Sequence, residues 1–273
     1  MSRPRLQLIL SPAKTMNLAP YAPADAAGAT EAVGLARANE LAALLGKKSQ
    51  AALKGLLGVS DGLAAENFRR FAGWADAESR QACVAYDGMA YAKLDARTLD
   101  ADALRVGQRK LLILSGLWGP VRPLDAIKAY RLEMACKKLP EPHRDLAAYW
   151  RETATATLLD GYAEDGDRVL VNVASDEYAK AIDVDAVEEA GVKVVKVDFF
   201  QGGKRAAAVH LKHGRGLVTR YVFQNDVDTL EALQKFDLED YAYSASLSDD
   251  DRVVFSRSAP PAKKPAAKKA KKK

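Results

Sequence analysis

Three short apolar runs of this sequence each lead into a serine and then into charged residues. The runs, with their serines, are LILSP (8–12), LILSG (112–116) and VLVNVAS (169–175). Lys14 follows the first run, a loop containing arginines follows the second, and the acidic pair Asp176 and Glu177 follows the third. Open α/β sheets bind ligands beyond the carboxyl ends of their strands. If the runs are neighbouring strands, they bring a lysine, an arginine loop and two carboxylates to one edge of a sheet.

The loop after the second run is the densest source of groups that can bind anions. Residues 115–134 read SGLWGPVRPLDAIKAYRLEM, with Trp118, Arg122, Asp125, Lys128, Tyr130, Arg131 and Glu133. Arginine presents a planar fork to phosphate or carboxylate groups, and aromatic rings can stack on nucleic-acid bases. A structural role is equally open, in which Arg122 and Arg131 pair with Asp125 and Glu133 to hold the loop together.

Lys14 and Thr15 follow a strand directly, which invites comparison with a phosphate-binding loop. That loop has the pattern G-x-x-x-x-G-K-[ST], because glycine N–H groups must wrap the phosphates. No glycine precedes Lys14, so an ATPase of that type is not indicated. Lys14 is either a cation placed at a strand end to bind a ligand or an ordinary surface lysine.

Asp176 and Glu177 allow several uses. They could cap the helix predicted after the third run, act as a general acid or base, or orient an arginine of the preceding loop. No metal or cofactor site is expected, since His210 and His213 have no third ligand nearby. The two cysteines, Cys83 and Cys136, form no disulfide or zinc pattern.

Residues 56–71, LLGVSDGLAAENFRRF, predict two helices joined by a tight turn. The turn resembles a helix-hairpin-helix, which grips phosphates with the N–H groups of its turn. Ser60 stands where a close match would have glycine, so an ordinary helical hairpin is the alternative. Arg69 and Arg70 on the second helix would suit a phosphate backbone.

Strand and helix patterns alternate through the rest of the chain without a clean βαβ repeat. They predict an α/β protein with a single domain, 1–255, built around a mixed β-sheet with flanking helices and the helix-hairpin-helix-like element. Within it, 192–200 and 206–211 flank QGGK (201–204) and predict a β-hairpin. Residues 241–247 and 252–255 alternate as strands.

The last segment, 256–273, differs in composition from the domain. It reads SRSAPPAKKPAAKKAKKK, with seven lysines, one arginine and no acid, so its charge is +8. Subtracting this from the overall charge of +5 leaves −3 for residues 1–255. With no apolar residue larger than alanine or proline, the segment is predicted to be a disordered cationic tail. It would bind any polyanion, DNA included, without sequence preference, or serve only as a solubilising appendage.

The composition favours a soluble cytoplasmic protein. No apolar run reaches the roughly 18 residues of a membrane span, and the first residues meet Pro and Lys too early for a signal peptide. No membrane partner is expected, and a monomer is favoured.

Five segments together resemble one known family. SPAKT (11–15), YDGMAYAKLD (86–95), LSGLWGPVRPLDAIKAYRLEM (114–134), NVASDEY (172–178) and RGLVTRY (215–221) occur in this order in the YaaA family. The resemblance covers residues 6–255, and the third segment is long enough to be highly specific. It implies a bacterial cytosolic protein of the peroxide stress response, with a mixed α/β fold, a helix-hairpin-helix-like element and DNA binding.

The resemblance also implies which residues form the family's cleft. By motif position they are Lys14, Arg122, Arg131, Asp176, Lys180, Arg215 and Arg220. With the cations of the hairpin and the loop, the DNA-binding surface expected here consists of Lys14, Arg69, Arg70, Arg122, Lys128, Arg131, Lys180, Arg215 and Arg220. Asp176 and Glu177 are the candidates for acid–base or orienting roles. The lysine tail is not part of the family pattern.

No group suited to reducing peroxide is recognisable, since such chemistry needs a low-pKa thiolate, a haem or a metal. Protection is therefore expected to be indirect, by binding DNA, and an enzyme is the less favoured class. The alternative is an enzyme acting on a nucleotide or nucleobase. It would require Ser11, Ser115 and Asp176 to line one pocket with the loop arginines.

Overall fold

The computed structural model describes residues 3–258. The strands are β1 (Leu6–Leu10), β2 (Ser79–Gln81), β3 (Leu111–Ser115), β4 (Gly119–Val121), β5 (Ala126–Lys128), β6 (Arg168–Asn172), β7 (Val192–Gln201), β8 (Lys204–Arg205), β9 (Ala242–Tyr243) and β10 (Arg252–Arg257). The α-helices are α1 (Ala22–Ala27), α2 (Leu35–Gly46), α3 (Gln50–Leu57), α4 (Asp61–Ala72), α5 (Ala82–Ala85), α6 (Met89–Leu94), α7 (Ala101–Lys110), α8 (Leu146–Leu159), α9 (Asp176–Ala179), α10 (Val184–Glu189), α11 (Ala208–Asn225) and α12 (Leu230–Leu233). Three 3₁₀ turns cover Ala96–Thr98, Leu238–Asp240 and Ala245–Leu247.

The main sheet is mixed, as the sequence predicts, with a parallel centre. Its order is β4-β3-β1-β6-β7-β10-β9, and β8 pairs with β7. The strands β3, β1, β6, β7 and β10 are parallel, whereas β4, β8 and β9 are antiparallel to their neighbours. β1 and β3 are buried along their whole length, which is why they are continuous aliphatic runs. We call the edge where the five parallel strands end the carboxyl edge.

The chain reverses its direction across the sheet at β1. Numbered in chain order, the five parallel strands have the order 2-1-3-4-5, since the chain passes from β1 to β3 on one side and then to β6 on the other. This is one of the common doubly wound orders, in which ligands bind at the carboxyl ends of the two strands that flank the reversal. The switch point of this sheet therefore lies between β1 and β6.

Helices flank the sheet. α7 packs on β1, and α11 packs on β7, α7 and α6. α8 packs on β4, and α10 packs on β7 and α8. The closest approach is at Gly216 of α11, where a Cβ atom would lie 1.9 Å from the carbonyl oxygen of Ala90 in α6. Only glycine fits this contact. The buried residues form one hydrophobic core, so residues 3–258 make a single α/β domain.

The helical hairpin predicted at 56–71 is formed by α3 and α4. Ser49 and Ser60 cap the two helices by accepting from the N–H groups of Ala52 and Leu63, and Gly58 ends α3 in the left-handed region at φ 62°. Phosphate binding by this turn is not tested by the fold and stays a prediction.

The strand predicted at 206–211 is wrong. Only Lys204–Arg205 pairs with β7, and α11 begins at Ala208. The 18-residue helix packs on α6, α7 and β7, and this tertiary burial decides the conformation of its first turn. Similarly, β9 covers only Ala242–Tyr243 of the predicted strand 241–247. β10 continues to Arg257, and the rest of the predicted tail, 259–273, lies outside the described residues.

No helix within residues 3–258 is both long enough and apolar enough to cross a bilayer.

Candidate functional site at the carboxyl edge

The three serine-ending runs are neighbouring strands, as the sequence predicts. β3, β1 and β6 are adjacent and parallel, so Ser11, Ser115 and Ser175 lie at the same edge. Ser11 and Ser175 meet across the switch point. Their Oγ atoms are 3.2 Å apart, and the Ser175 N–H donates to Ser11 Oγ at 2.9 Å.

The two half-buried hydroxyls leave one donor available. Each serine hydroxyl has one hydrogen, and only one of the two can lie between Ser11 Oγ and Ser175 Oγ. The other hydroxyl hydrogen is free to donate to a ligand. The crevice between β1 and β6 therefore offers a hydrogen-bond donor where doubly wound sheets bind ligands.

Ser115 is fully buried and belongs to a chain of hydroxyls beneath this edge. Its Oγ lies 2.6 Å from the hydroxyl of Tyr130, which lies 2.9 Å from that of Tyr86. The Tyr91 hydroxyl donates to the carbonyl oxygen of Ser11 at 3.0 Å. Burial raises the pKa of Tyr86 and of Tyr130 above the ordinary value, so this chain is neutral and fixes the strand ends.

Lys14 and Arg131 converge on one carboxylate at the same edge. Lys14 Nζ lies 2.7 Å from Glu133 Oε2, and Arg131 Nη2 lies 3.0 Å from Glu133 Oε1. Burial opposes ionisation of Glu133, but the hydrogen bond and charge of Lys14, aided by Arg131, hold its pKa below the ordinary value. The pairing of Arg131 with Glu133, one of the two roles open from the sequence, is thus present.

Asp176 and Glu177 start α9 beside the switch point. Asp176 Oδ1 binds Lys196 Nζ at 2.7 Å, and this hydrogen bond, with the charge of Lys196, lowers the pKa of Asp176. Glu177 Oε1 accepts from the Ala135 N–H at 3.0 Å. Both carboxylates therefore anchor neighbouring elements. Lys180, at the end of α9, has an exposed side chain.

An open groove of about 1080 Å³ adjoins this edge on the side of α8. We call it the α8 groove. It is lined by the loop 134–145, by the first turns of α8 and by α9. Its cations are Arg37, Lys137, Arg144 and Lys180, and its acids are Glu141, Asp145, Glu152, Asp176 and Glu177. Within the part of the chain that the structure describes, the side chains of Lys137, Arg144 and Lys180 make no hydrogen bond or ion pair.

Arg122 does not reach the carboxyl edge. β4 runs back antiparallel to β3, and this returns the chain toward the amino end of β3. There the Arg122 guanidinium donates to Gln7 Oε1 at 2.9 Å and to the carbonyl oxygens of Arg109 and Thr157. Burial lowers the pKa of Arg122. Its donors are directed at the protein interior rather than at a ligand.

Two more of the expected cations also hold the fold. Lys128 Nζ donates to the carbonyl oxygens of Trp74 and Ala75. Arg220 donates to the carbonyl oxygens of Leu94 and Asp95 and to Thr98 Oγ1, which ties α11 to the turn after α6. Neither side chain belongs to the group around Glu133.

The remaining expected cations lie in two places. Arg215 on α11 is half-buried, and burial lowers its pKa. The negative charge of Asp176 opposes this decrease. Arg69 and Arg70 lie in the last turn of α4, where Arg70 pairs with Glu66 at 2.5 Å and Arg69 is exposed. The structure thus brings together Lys14, Arg131, Asp176, Glu177, Lys180 and Arg215.

This arrangement does not contain the pocket that the enzyme alternative requires. Ser115 is buried, Asp176 faces Lys196, and Arg122 lies toward the opposite edge. Cys83 is also unsuited to peroxide chemistry, because burial raises the pKa of its thiol to about 12.

Sequence reasoning missed several residues of the site. Lys196, which binds Asp176, comes from the middle of β7, and the groove cations Lys137 and Arg144 come from a loop without a motif. Ser11 and Ser175 were noticed as strand ends, but their contact depends on strand order. Only the pattern of apolar runs ending in serine could have indicated it.

The chain was compared with known proteins. The family model described as "Peroxide stress protein YaaA" matches residues 6–247. A UPF0246 protein of Paracidovorax citrulli is 38% identical over 253 residues, covering 91% of this chain and 97% of that protein. UPF0246 proteins of Ralstonia pickettii and Hahella chejuensis are 37% and 35% identical, each covering 92% of this chain and 98% of their own length.

Proposed function

Since the chain belongs to the YaaA family of peroxide stress proteins, we propose that it contributes to peroxide tolerance by binding DNA at the carboxyl edge and the α8 groove. Phosphate contacts from lysine and arginine provide most of the affinity in sequence-independent DNA binding. The observation that carries the proposal is the collection of cations around one open groove. Lys137, Arg144 and Lys180 line the groove without partners among residues 3–258, and Lys14 and Arg131 lie at the adjoining carboxyl edge, where both pair with Glu133.

The groove has five acids beside its four cations, and three of these acids are engaged within the protein. Asp176 is neutralised by Lys196, Glu177 accepts the Ala135 N–H, and Asp145 caps α8 by accepting the Ala148 N–H. Three of the five carboxylates are therefore held in internal hydrogen bonds. The unpaired cations remain available to phosphates, and the Ser11–Ser175 pair supplies a neutral donor beside them.

The proposal is tested with the tail separated from the domain. A chain ended after Ser258 keeps every described strand and helix. We expect it to bind a labelled DNA duplex, measured by fluorescence anisotropy. The logarithm of its binding constant should fall linearly with the logarithm of salt concentration, by about 0.9 per neutralised phosphate. If the shortened chain does not bind at low salt, the domain is not the DNA-binding element.

Variants of the lysines in the α8 groove then test where DNA binds. Replacing both Lys137 and Lys180 by alanine should weaken DNA binding and reduce the salt slope by about 2. Lys193→Ala is the matched control, because Lys193 is an exposed lysine near the amino end of β7, on the opposite edge of the sheet. Equal losses in both variants would place the DNA elsewhere. Survival of peroxide-treated cells that carry these variants links binding to tolerance.

A further inference from the structure

Glu133 binds two cations of the carboxyl edge with its two oxygens. Lys14 comes from the loop after β1 and binds Oε2, whereas Arg131 comes from the loop after β5 and binds Oε1. No other acid among residues 3–258 pairs with either cation. One carboxylate thus bridges two segments that have no other charged link.

The space around this bridge is already filled. The adjoining cavity, lined by Lys14, Tyr130, Arg131, Glu133 and Tyr178, has a volume of about 10 Å³, room for about one water molecule. An incoming anion cannot contact both cations unless the carboxylate moves away. The site is reached from solvent on the lysine side, because the side chain of Lys14 is 59% exposed, that of Glu133 29% and that of Arg131 17%.

A phosphate group resembles the Glu133 carboxylate in its charge and its oxygen atoms. A phosphodiester, like a carboxylate, carries one negative charge shared by two oxygens, and lysine and arginine are the residues that bind such oxygens. Lys14, Arg131 and Glu133 together carry a net charge of +1. In addition, Arg131 Nε is buried and without a hydrogen-bond partner in the described part of the chain, so the guanidinium has a donor left for another acceptor.

We propose that Lys14 and Arg131 form a phosphate-binding site that Glu133 occupies in the free protein, and that a phosphate group displaces the carboxylate when it binds. This deepens, and rests on, the proposed binding of DNA at the carboxyl edge. Glu133 is then a competitor built into the site. It lowers the affinity for phosphate, and its removal raises that affinity.

The test compares Glu133→Gln with Glu66→Gln in the full chain. Glu66 pairs with Arg70 on α4, so both variants remove one negative charge from an ion-paired carboxylate. The two variants are matched in the charge removed, although Glu133 loses two ion pairs and Glu66 one. We expect Glu133→Gln to bind DNA about tenfold more tightly than the wild-type chain, which corresponds to about 1.4 kcal/mol, and Glu66→Gln to change little. An equal gain in both variants, or a loss in Glu133→Gln, would overturn the inference. Adding Lys14→Ala to Glu133→Gln should remove the gain.

Inorganic phosphate provides a readout that does not depend on DNA. We expect it to raise the melting temperature of Glu133→Gln more than that of the wild-type chain or Glu66→Gln. If no variant binds DNA but this difference appears, the proposed function fails and the phosphate site stands. If DNA binds but no difference appears with phosphate, the site is wrong and the function stands. Oligonucleotides with and without a 5′-phosphate distinguish a terminal phosphate from the backbone.

Discussion

Ser175 donates its backbone N–H to Ser11 Oγ across the switch point, while the two Oγ atoms lie 3.2 Å apart. The two serines are therefore not equivalent. Ser11 Oγ is the acceptor of the Ser175 N–H, whereas the Ser175 hydroxyl accepts no N–H group of α9. This asymmetry joins β1 to β6 at the point where a ligand is expected.

Replacing Ser11 by alanine should therefore destabilise the protein more than replacing Ser175. Ser11→Ala leaves a half-buried N–H without its acceptor, which costs about 1–2 kcal/mol, whereas Ser175→Ala loses only a shared hydroxyl contact, about 0.5 kcal/mol. Urea unfolding at pH 7 measures both values. The reverse order would contradict the hydrogen-bond assignment.

Arg122→Ala should affect stability rather than DNA affinity. It leaves Gln7 Oε1 and two carbonyl oxygens without their donor, so a loss of about 3 kcal/mol or more is expected. Arg131→Ala, at the carboxyl edge, should lower the melting temperature much less and weaken DNA binding. Thermal unfolding combined with anisotropy separates the two. A stable Arg122→Ala that has lost DNA binding would restore Arg122 to the site.

Cys83 should resist both alkylation and peroxide. Its side chain is 2% exposed and its pKa is raised to about 12 by burial, so almost no thiolate exists at pH 8. Mass spectrometry after iodoacetamide treatment of the folded protein should show Cys83 unmodified, and after unfolding in urea it should be modified. Rapid labelling in the folded state would show that this region opens.

The bridge through Glu133 should make stability depend on pH. The pKa of Glu133 is lower in the folded protein than its ordinary value. Its contribution is thus present above the unfolded pKa, about 4.3, and is lost as pH falls through the folded pKa. Because the group is partly exposed, we expect less than about 1 kcal/mol. Urea unfolding from pH 7 to pH 3 should show a smaller decrease for Glu133→Gln than for the wild-type chain.

The sequence predicts the parts of this fold that are determined locally. Buried parallel strands are continuous aliphatic runs, so β1, β3 and β6 and their serine ends were recognisable. The helical hairpin at 56–71 was also recognisable, because its turn is set by local bonds such as that from the Leu63 N–H to Ser60 Oγ.

The path of the chain after β3 could not be predicted from local sequence patterns. The loop after β3 was expected to deliver Arg122 to the carboxyl edge, but β4 turns back along β3 and carries it toward the opposite edge. Arg131 stays at the carboxyl edge, nine residues further along. The order of strands, rather than the local pattern, decides which of two similar arginines faces a ligand.

β10 lies parallel to β7 and β6, and the chain leaves it at Ser258 on the carboxyl edge. Arg257 of β10 lies opposite Gln201 of β7, whereas Asn172 at the end of β6 lies opposite Lys196, so the end of β10 projects about 16 Å beyond the end of β6 along the strand direction. The seven lysines that follow in the sequence are joined to the domain at this projecting end. Under the proposed DNA binding, their contribution is set by effective concentration, so shortening the chain should lower apparent affinity without changing which DNA is preferred.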